Sequence, residues 1–358
     1  MWIEHIRLKN VRNFDALELH LGPGIHFFQG SNGAGKTNLL EAVAFLLSGH
    51  SFRTHRLTDL MRHDQEEMVL EVSLMCRLHR YELLMRVGPQ GKKLWIGKKT
   101  CRDWTGLFPV ATWVPEDIEV IKGGPSARRA FLDHHLIHVD PLYQHHLHRY
   151  QKALEQRSLL LKRGKEEGIE AYEKQMALSG AYLMQARHLA INDLNSYFKS
   201  KLLELELEGD HRLVYQPATH ERSLASLELM WKHSRAQEYK AKQTLKGPHL
   251  EDFQILFQGK DARRFASEGQ ARACIACLKA AEWHRLSGFE GQALLLIDEI
   301  GMGLDAKRWE KIWSWISGWQ QALVTSPYER YLDGSKPLKR WQVKEAKISS
   351  FTQAASNS

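Results

Sequence analysis

Eight consecutive residues, Gly30, Ser31, Asn32, Gly33, Ala34, Gly35, Lys36 and Thr37, match the phosphate-loop pattern G-x-x-x-x-G-K-[ST]. Glycines let backbone N–H groups turn inward around phosphate oxygens, and a helix opening near Lys36 adds the positive end of its dipole. The Lys36 ammonium is then placed for the β- and γ-phosphates and the Thr37 hydroxyl for Mg²⁺, with Asn38 next in the helix. This is the chemistry of a nucleoside triphosphate site.

A second element agrees from far along the chain. Ala293-Leu-Leu-Leu-Ile-Asp298-Glu299 is an apolar strand that ends in two carboxylates. Ligands of parallel sheets gather at that strand end. Asp298 suits an acid that holds metal-bound water near Thr37, and Glu299 a base that directs the attacking water. Between these two lies Phe265-Ala-Ser267-Glu268-Gly269-Gln270, a small-residue loop at a helix start and hence a second phosphate grip. One phosphate loop already serves its own subunit, so the second grip makes sense when it reaches a partner subunit's site.

The surrounding pattern supplies the elements these residues need. IHFFQ at 25–29 reads as a buried strand before the loop, and Leu39, Leu40, Val43, Leu46 and Leu47 recur at helical spacing after it. Residues 68–100 alternate as strands of an antiparallel sheet. Residues 126–205 read as helices, interrupted near Pro141 and turning at KEEG, with a short hairpin at 202–216 and a helix near 223–243. The expected architecture is α/β, a phosphate-loop head of mixed plus antiparallel sheet carrying a helical arm. The expected parts are 1–122 and 246–348 for the head, 123–245 for the arm and 349–358 for a flexible tail.

At 358 residues the length suits about two domains. The balance of 50 Lys+Arg against 42 Asp+Glu implies localised basic patches rather than a polycation. Four scattered cysteines exclude a disulfide scaffold, and no apolar run approaches a membrane span. A cytoplasmic, nucleoid-associated protein with no membrane partner is expected. From Arg86 to Arg102 there are six basic residues and no acid. This is either a solvated hairpin or a phosphate-backbone contact patch.

In its ordering of these motifs the chain resembles the ATP-binding-cassette superfamily, and within it the RecF family of bacterial DNA repair proteins. The resemblance rests on LKNVRNF (8–14), GSNGAGKTNLLEA (30–42), GHSFRT (49–54), VPEDIEVIKGGPSARRAFLD (114–133), LKGPHLED (245–252), FASEGQAR (265–272) and LLLIDEIGMGLD (294–305). It implies ATP and Mg²⁺ as cofactors and slow, DNA-stimulated hydrolysis by two heads that close around two ATP molecules. It also implies double-stranded and gapped DNA as partner, with recombination mediator proteins, in recombinational repair and replication restart.

Carried over onto this sequence, Lys36, Asp298 and Glu299 are the catalytic set, with Thr37 and Asp298 at the metal. Ser267, Gly269 and Gln270 form the signature loop toward the partner's γ-phosphate, and Asp305 lies in the loop that passes between subunits. Arg128 and Arg129 match the paired arginines, and Asp133 the acid that follows. The family's usual GPHRDD reads here with Leu250 and Glu251, Glu268 replaces a glutamine, Ala271 stands where a second glutamine is common, and the usual Asp-Asp is Asp298-Glu299.

Arg128, Arg129, Arg149, Arg157, Lys162 and Arg163 are the DNA-contact candidates. With no base-reading motif in the sequence, binding would be salt-sensitive and sequence-tolerant. Cys274 and Cys277 lie one turn apart on one helix face and read as core. The histidines at 134, 135, 138, 145, 146 and 148 read as a solvated helical face. Two other functions compete: a transporter-type cassette subunit, and a nucleotide-gated structural or defence scaffold with little turnover.

Overall fold

The computed structural model describes residues 1–54, 56–219, 223–287, 293–299, 304–326 and 338–350. The chain divides into two compact units, Met1–Asp117 with Glu282–Ser358, and Ile118–Ala281. The sequence reading put the second junction at 245/246 instead.

The first unit carries two sheets. One is antiparallel, in the order β2-β1-β4-β5-β6-β7. Its strands are β1 (Trp2–Val11), β2 (Phe14–His20), β4 (Met68–Cys76), β5 (His79–Gly88), β6 (Gly91–Ile96) and β7 (Lys99–Cys101). The strict alternation of buried and half-buried residues along β4 is what one apolar face requires. The other sheet runs β15-β14-β3-β13-β12-β8. It comprises β3 (Gly24–Gln29), β8 (Val110–Trp113), β12 (Leu294–Ile297), β13 (Gln321–Ser326), β14 (Leu338–Lys344) and β15 (Lys347–Ser350). All its pairings are parallel except β14 with β15. Helix α1 (Lys36–Ser48) touches strands of both sheets. That position explains why it is buried nearly all round rather than on one stripe. Helix α9 (Ala306–Ile316) buries Trp309, Ile312, Trp313 and Ile316, an i, i+3, i+4, i+7 stripe.

The second unit is mainly helical: α2 (Ile118–Lys122), α3 (Pro125–Val139), α4 (Tyr143–Arg163), α5 (Ile169–Glu204), α6 (Leu224–Ala241), α7 (Ala262–Phe265) and α8 (Glu268–Ser287), whose last turns pass into the first unit. Gly164, left-handed at φ 65°, ends α4 and turns the chain back into the 36-residue α5. A small sheet, β11-β10-β9, joins β9 (Arg212–Gln216), β10 (Asp252–Phe257) and β11 (Lys260–Asp261).

Two sequence expectations are corrected. The hairpin at 202–216 does not form: residues through Glu204 finish α5, and β9 pairs with β10 instead. The polar, basic stretch after residue 337 forms β14 and β15. Ser349 and Ser350, assigned to the tail, belong to β15, and the rest of that tail, 351–358, lies outside the described residues. Among the described residues, no helix is long and apolar enough to cross a membrane.

Candidate nucleotide site

The phosphate loop connects β3 to α1 at the carboxyl end of the parallel sheet. Gly35 holds φ 114°, a conformation a side chain resists, and a Cβ on Gly30 would come within 2.2 Å of the Val343 carbonyl oxygen. Glycine is therefore required at one position by backbone angle and at the other by close approach. The Ala346 N–H, from the β14–β15 turn, donates to the Ala34 carbonyl at 3.0 Å. Nothing in the sequence pattern pointed to this support from the far end of the chain.

Lys36 is 5% exposed, and its ammonium donates to the Gly30 and Ser31 carbonyls at 2.7 and 2.9 Å. Burial pushes its pKa below the ordinary lysine value, and the nearby Asp298 and Glu299 carboxylates oppose that shift. The cation and both acids thus share one locus. Thr37 Oγ1 donates to Asp298 Oδ2 at 2.8 Å, and Thr325 Oγ1 donates to Asp298 Oδ1 at 2.5 Å. The Glu299 N–H donates to Thr325 Oγ1 at 3.0 Å. Glu299 sits at φ 48°, a left-handed turn at the end of β12 that interrupts the strand's alternation of faces. Thr325 was missed in the sequence. Its signal was a hydroxyl near the carboxyl end of an apolar strand, but its role depends on β13 lying between β3 and β12.

Three of the resemblance segments converge behind the loop. Glu41 on α1 is fully buried and accepts from Arg12 Nε and Nη2, at 2.8 and 2.7 Å, and from Ser51 Oγ at 2.5 Å. Asn38 Nδ2 donates to Asn13 Oδ1 at 2.8 Å and Arg53 Nη1 donates to Asn38 Oδ1 at 3.1 Å. A buried carboxylate needs such partners, so an acid in an otherwise apolar helix was the readable signal.

The signature loop lies in the second unit. Ser267 is exposed just before α8; its N–H donates to Gln270 Oε1 at 2.8 Å and its Oγ accepts from Gln270 N at 3.3 Å. This reciprocal box satisfies two of the backbone donors at the helix start. Glu268 pairs with Arg272 at 2.7 Å, and that hydrogen bond and charge lower its pKa. Asp305 caps α9, accepting from Arg308 N at 2.9 Å. Gly301, Met302 and Gly303 of the same sequence segment lie outside the described residues.

Two DNA-contact candidates are corrected. Arg157 is fully buried and held by Glu173, Glu238 and Thr244 at 2.6–3.2 Å. Arg128, 5% exposed, makes a two-pronged pair with Asp252 at 2.7 and 2.9 Å. Both guanidiniums are buried and engaged by partners within the second unit. Arg129 donates to the Glu251 carbonyl at 2.8 Å, and Asp133 accepts from Tyr143 and Arg187 at 2.6 and 2.8 Å. Arg187 also meets Glu251 at 3.0 Å, so the segments around 128 and 250 hold one another. Lys162 and Arg163 are exposed and Arg149 is half-buried.

The histidine face is also not wholly solvated: His135 is buried, and His146 stacks on Tyr182 with ring centroids 4.1 Å apart. Cys274 and Cys277 are buried core residues, and burial pushes the Cys274 thiol up to about 12.

Known proteins with this arrangement can now be compared. Residues 2–84 match the family described as the RecF/RecN/SMC N terminal domain. The chain is 34% identical to a DNA replication and repair protein RecF from Protochlamydia amoebophila, over 93% of this chain and 96% of that one. It is also 34% identical to the RecF of Symbiobacterium thermophilum, covering 91% of each. A solved structure of the recombination mediator protein RecF with ATP, of the RecFOR pathway, superposes with a TM-score of 0.88 at 28% identity, covering 98% of both chains. With the head fold, the phosphate loop and likeness over nearly its whole length in agreement, the chain belongs to the RecF family.

Proposed function

We propose that the protein is an ATP-dependent DNA-binding ATPase of recombinational repair and replication restart, acting as a homodimer whose two heads share two nucleotides. The observation that carries this reading is the hydrogen-bonded line Thr37–Asp298–Thr325 beside Lys36, at the carboxyl end of the parallel sheet. The relatives' names and the ATP-bound neighbour support the nucleotide, the DNA and the work with recombination mediator proteins.

The donor set fits Mg²⁺: a hydroxyl and a buried carboxylate 2.8 Å apart, all oxygen, as a hard cation requires. When bound, Mg²⁺ supplies neutralisation of the developing phosphate charge. The chain's own residues do the rest. The loop N–H groups and Lys36 bind the phosphates, Asp298 orients the Thr37 hydroxyl, and Glu299 accepts the proton of the attacking water. Ser267, Gly269 and Gln270 grip the nucleotide of the partner head, so that nucleotide affinity and dimerisation are linked. For DNA, the candidates are the exposed Lys162 and Arg163 in the second unit and, separately, the basic β5–β6–β7 surface of the first, where Arg86 stands directly opposite Lys93 in the ladder. Like charges so placed repel, which an anionic backbone relieves.

Steady-state ATP hydrolysis, with and without gapped duplex DNA, tests the assignment. Lys36→Met is expected to lose nucleotide binding. Glu299→Gln is expected to keep binding and lose roughly a hundredfold or more in turnover, the usual reach of a general base. Turnover in the parent no higher than in these variants, with ATP bound, would replace the enzyme by a nucleotide-gated scaffold.

A further inference from the structure

The strands β1 and β2 carry a cluster that the nucleotide chemistry does not use. His5 and His20 are register partners across the ladder, with ring centroids stacked 4.6 Å apart. Glu18, two residues before His20 on the same face of β2, lies with Oε1 2.9 Å from His5 Nε2. One ligand atom from each of the three residues can be chosen so that all lie within 4.8 Å of one another, and among the described residues no other group of three does so. His5 is half-buried, and Glu18 and His20 are exposed.

The backbone places His5 there by an irregularity. Between Ile3 and His5 the register of β1 against β4 shifts by one residue, so that Ile3 pairs with Leu74 and His5 with Ser73. Ile3 and Ile6 are both buried, three residues apart, and Glu4 and His5 occupy the bulge between them. Regular alternation would have pointed His5 into the core with Ile3. The bulge instead turns it to the solvent face beside Glu18 and His20, the kind of re-aiming for which bulges serve. The strands are held firmly around it. Leu21 N donates to the Glu4 carbonyl at 2.8 Å, and Gln321 brackets Ile3 through both its N–H and its carbonyl.

We propose that His5, Glu18 and His20 form a surface site for a borderline divalent transition-metal ion of the Zn²⁺ type. Two imidazoles and a carboxylate are a donor set that such ions prefer and Mg²⁺ does not, which separates this site from the phosphate loop. Four-coordinate Zn²⁺ with bonds near 2.0–2.1 Å holds its ligand atoms about 3.3 Å apart. Small side-chain rotations close the observed spacing to that value. Occupancy replaces the His5–Glu18 hydrogen bond and ties the edge strand β2 to β1, leaving one coordination position for water.

The test uses the full chain, stripped with a chelator and free of nucleotide. Zn²⁺ titration by calorimetry, with Co²⁺ visible spectroscopy to report coordination, is compared among the parent, His20→Asn, Glu18→Gln and a His134→Asn/His138→Asn control. The parent and the control are expected to bind one equivalent and to melt at higher temperature when metal is added. His20→Asn is expected to bind roughly tenfold or more weakly and to lose the metal-induced rise in Tm, with metal-free melting unchanged because its side chain is exposed. Glu18→Gln should weaken binding and alter the Co²⁺ spectrum. Zn²⁺ affinity in His20→Asn and Glu18→Gln equal to the parent's would overturn the proposal. Loss confined to the His134→Asn/His138→Asn variant would assign the metal to α3 and overturn it equally.

Discussion

At Thr325 one hydroxyl serves both acids of the site, donating to Asp298 and accepting from the backbone N–H of Glu299. Its removal in Thr325→Val keeps the shape and leaves two buried polar groups without that partner, a loss of about 1–3 kcal/mol. Because in the proposed mechanism Glu299 acts on the attacking water and Asp298 on the Thr37 hydroxyl rather than on the whole nucleotide, turnover should fall roughly ten- to a hundredfold. Nucleotide affinity should change far less. Steady-state ATPase and fluorescent-nucleotide binding on the same preparation separate the two, and an equal loss in both would make Thr325 a binding residue instead. The sequence made Lys36, Thr37, Asp298 and Glu299 legible because their chemistry is local: a glycine loop before a helix and acids at the end of an apolar run. Thr325 was not legible, because its role comes from the order of parallel strands, which no local pattern encodes. Arg128 and Arg157 misled for a related reason. A basic residue shows its charge in the sequence but not its partner, and Asp252, Glu173 and Glu238 arrive from distant segments.

Among the elements, β14 shows how a strand hidden by its composition can matter to the site. Its residues are polar and basic, so alternation gave no strand signal, yet it pairs in parallel with β3 just ahead of the phosphate loop. Trp341 Nε1 on β14 donates to His26 Nδ1 at 3.0 Å, and His26 Nε2 bonds the Gly22 carbonyl at 2.8 Å. Both imidazole nitrogens are thus engaged in a fully buried neutral ring. Burial lowers its pKa to about 4, and Lys339 adds to that shift against the Gly22 bond. The folded pKa lies below the unfolded value, so the unfolded chain takes up the proton first. The stabilisation is present above about pH 6.5 and is lost as pH falls toward about 4, by up to about 3 kcal/mol. Urea midpoints at pH 7 and pH 4.5 should differ by less in His26→Gln than in the parent. In the helical unit the corresponding element is the junction of α4, α5 and α6 around Arg157. Arg157→Ala leaves Glu173 and Glu238 buried beside a hole and should destabilise that unit by about 3–5 kcal/mol. Lys162→Gln, on the exposed end of α4, should stay within about 0.5 kcal/mol of the parent by the same denaturant melt.

For the whole molecule, the +8 formal charge matters less than where cations lack acids nearby. The buried arginines of the helical unit are neutralised internally, whereas Arg86, Lys92, Lys93, Lys98, Lys99 and Arg102 stand exposed on consecutive strands and turns of one sheet. Lys92, Lys93, Lys98 and Lys99 have no ion pair among the described residues, and Arg86 leans toward the Trp95 ring at 6.0 Å. On the proposed reading this surface takes the DNA backbone, so that binding is expected to be sequence-tolerant and to fall with salt as counterions are released. The combined variant Lys92→Gln, Lys93→Gln, Lys98→Gln, Lys99→Gln should therefore bind duplex DNA more weakly. Its plot of log affinity against log salt should be shallower by roughly 0.9 for each phosphate that is no longer neutralised. ATP turnover without DNA should be unchanged, since none of the four residues belongs to the nucleotide site, while stimulation by DNA should fall with the affinity. A Lys162→Gln, Arg163→Gln variant measured alongside divides the slope between sheet and arm. A salt slope equal to the parent's in the sheet variant, with weakening only in the arm variant, would make the hairpins a solvated edge and move the DNA track to the helices.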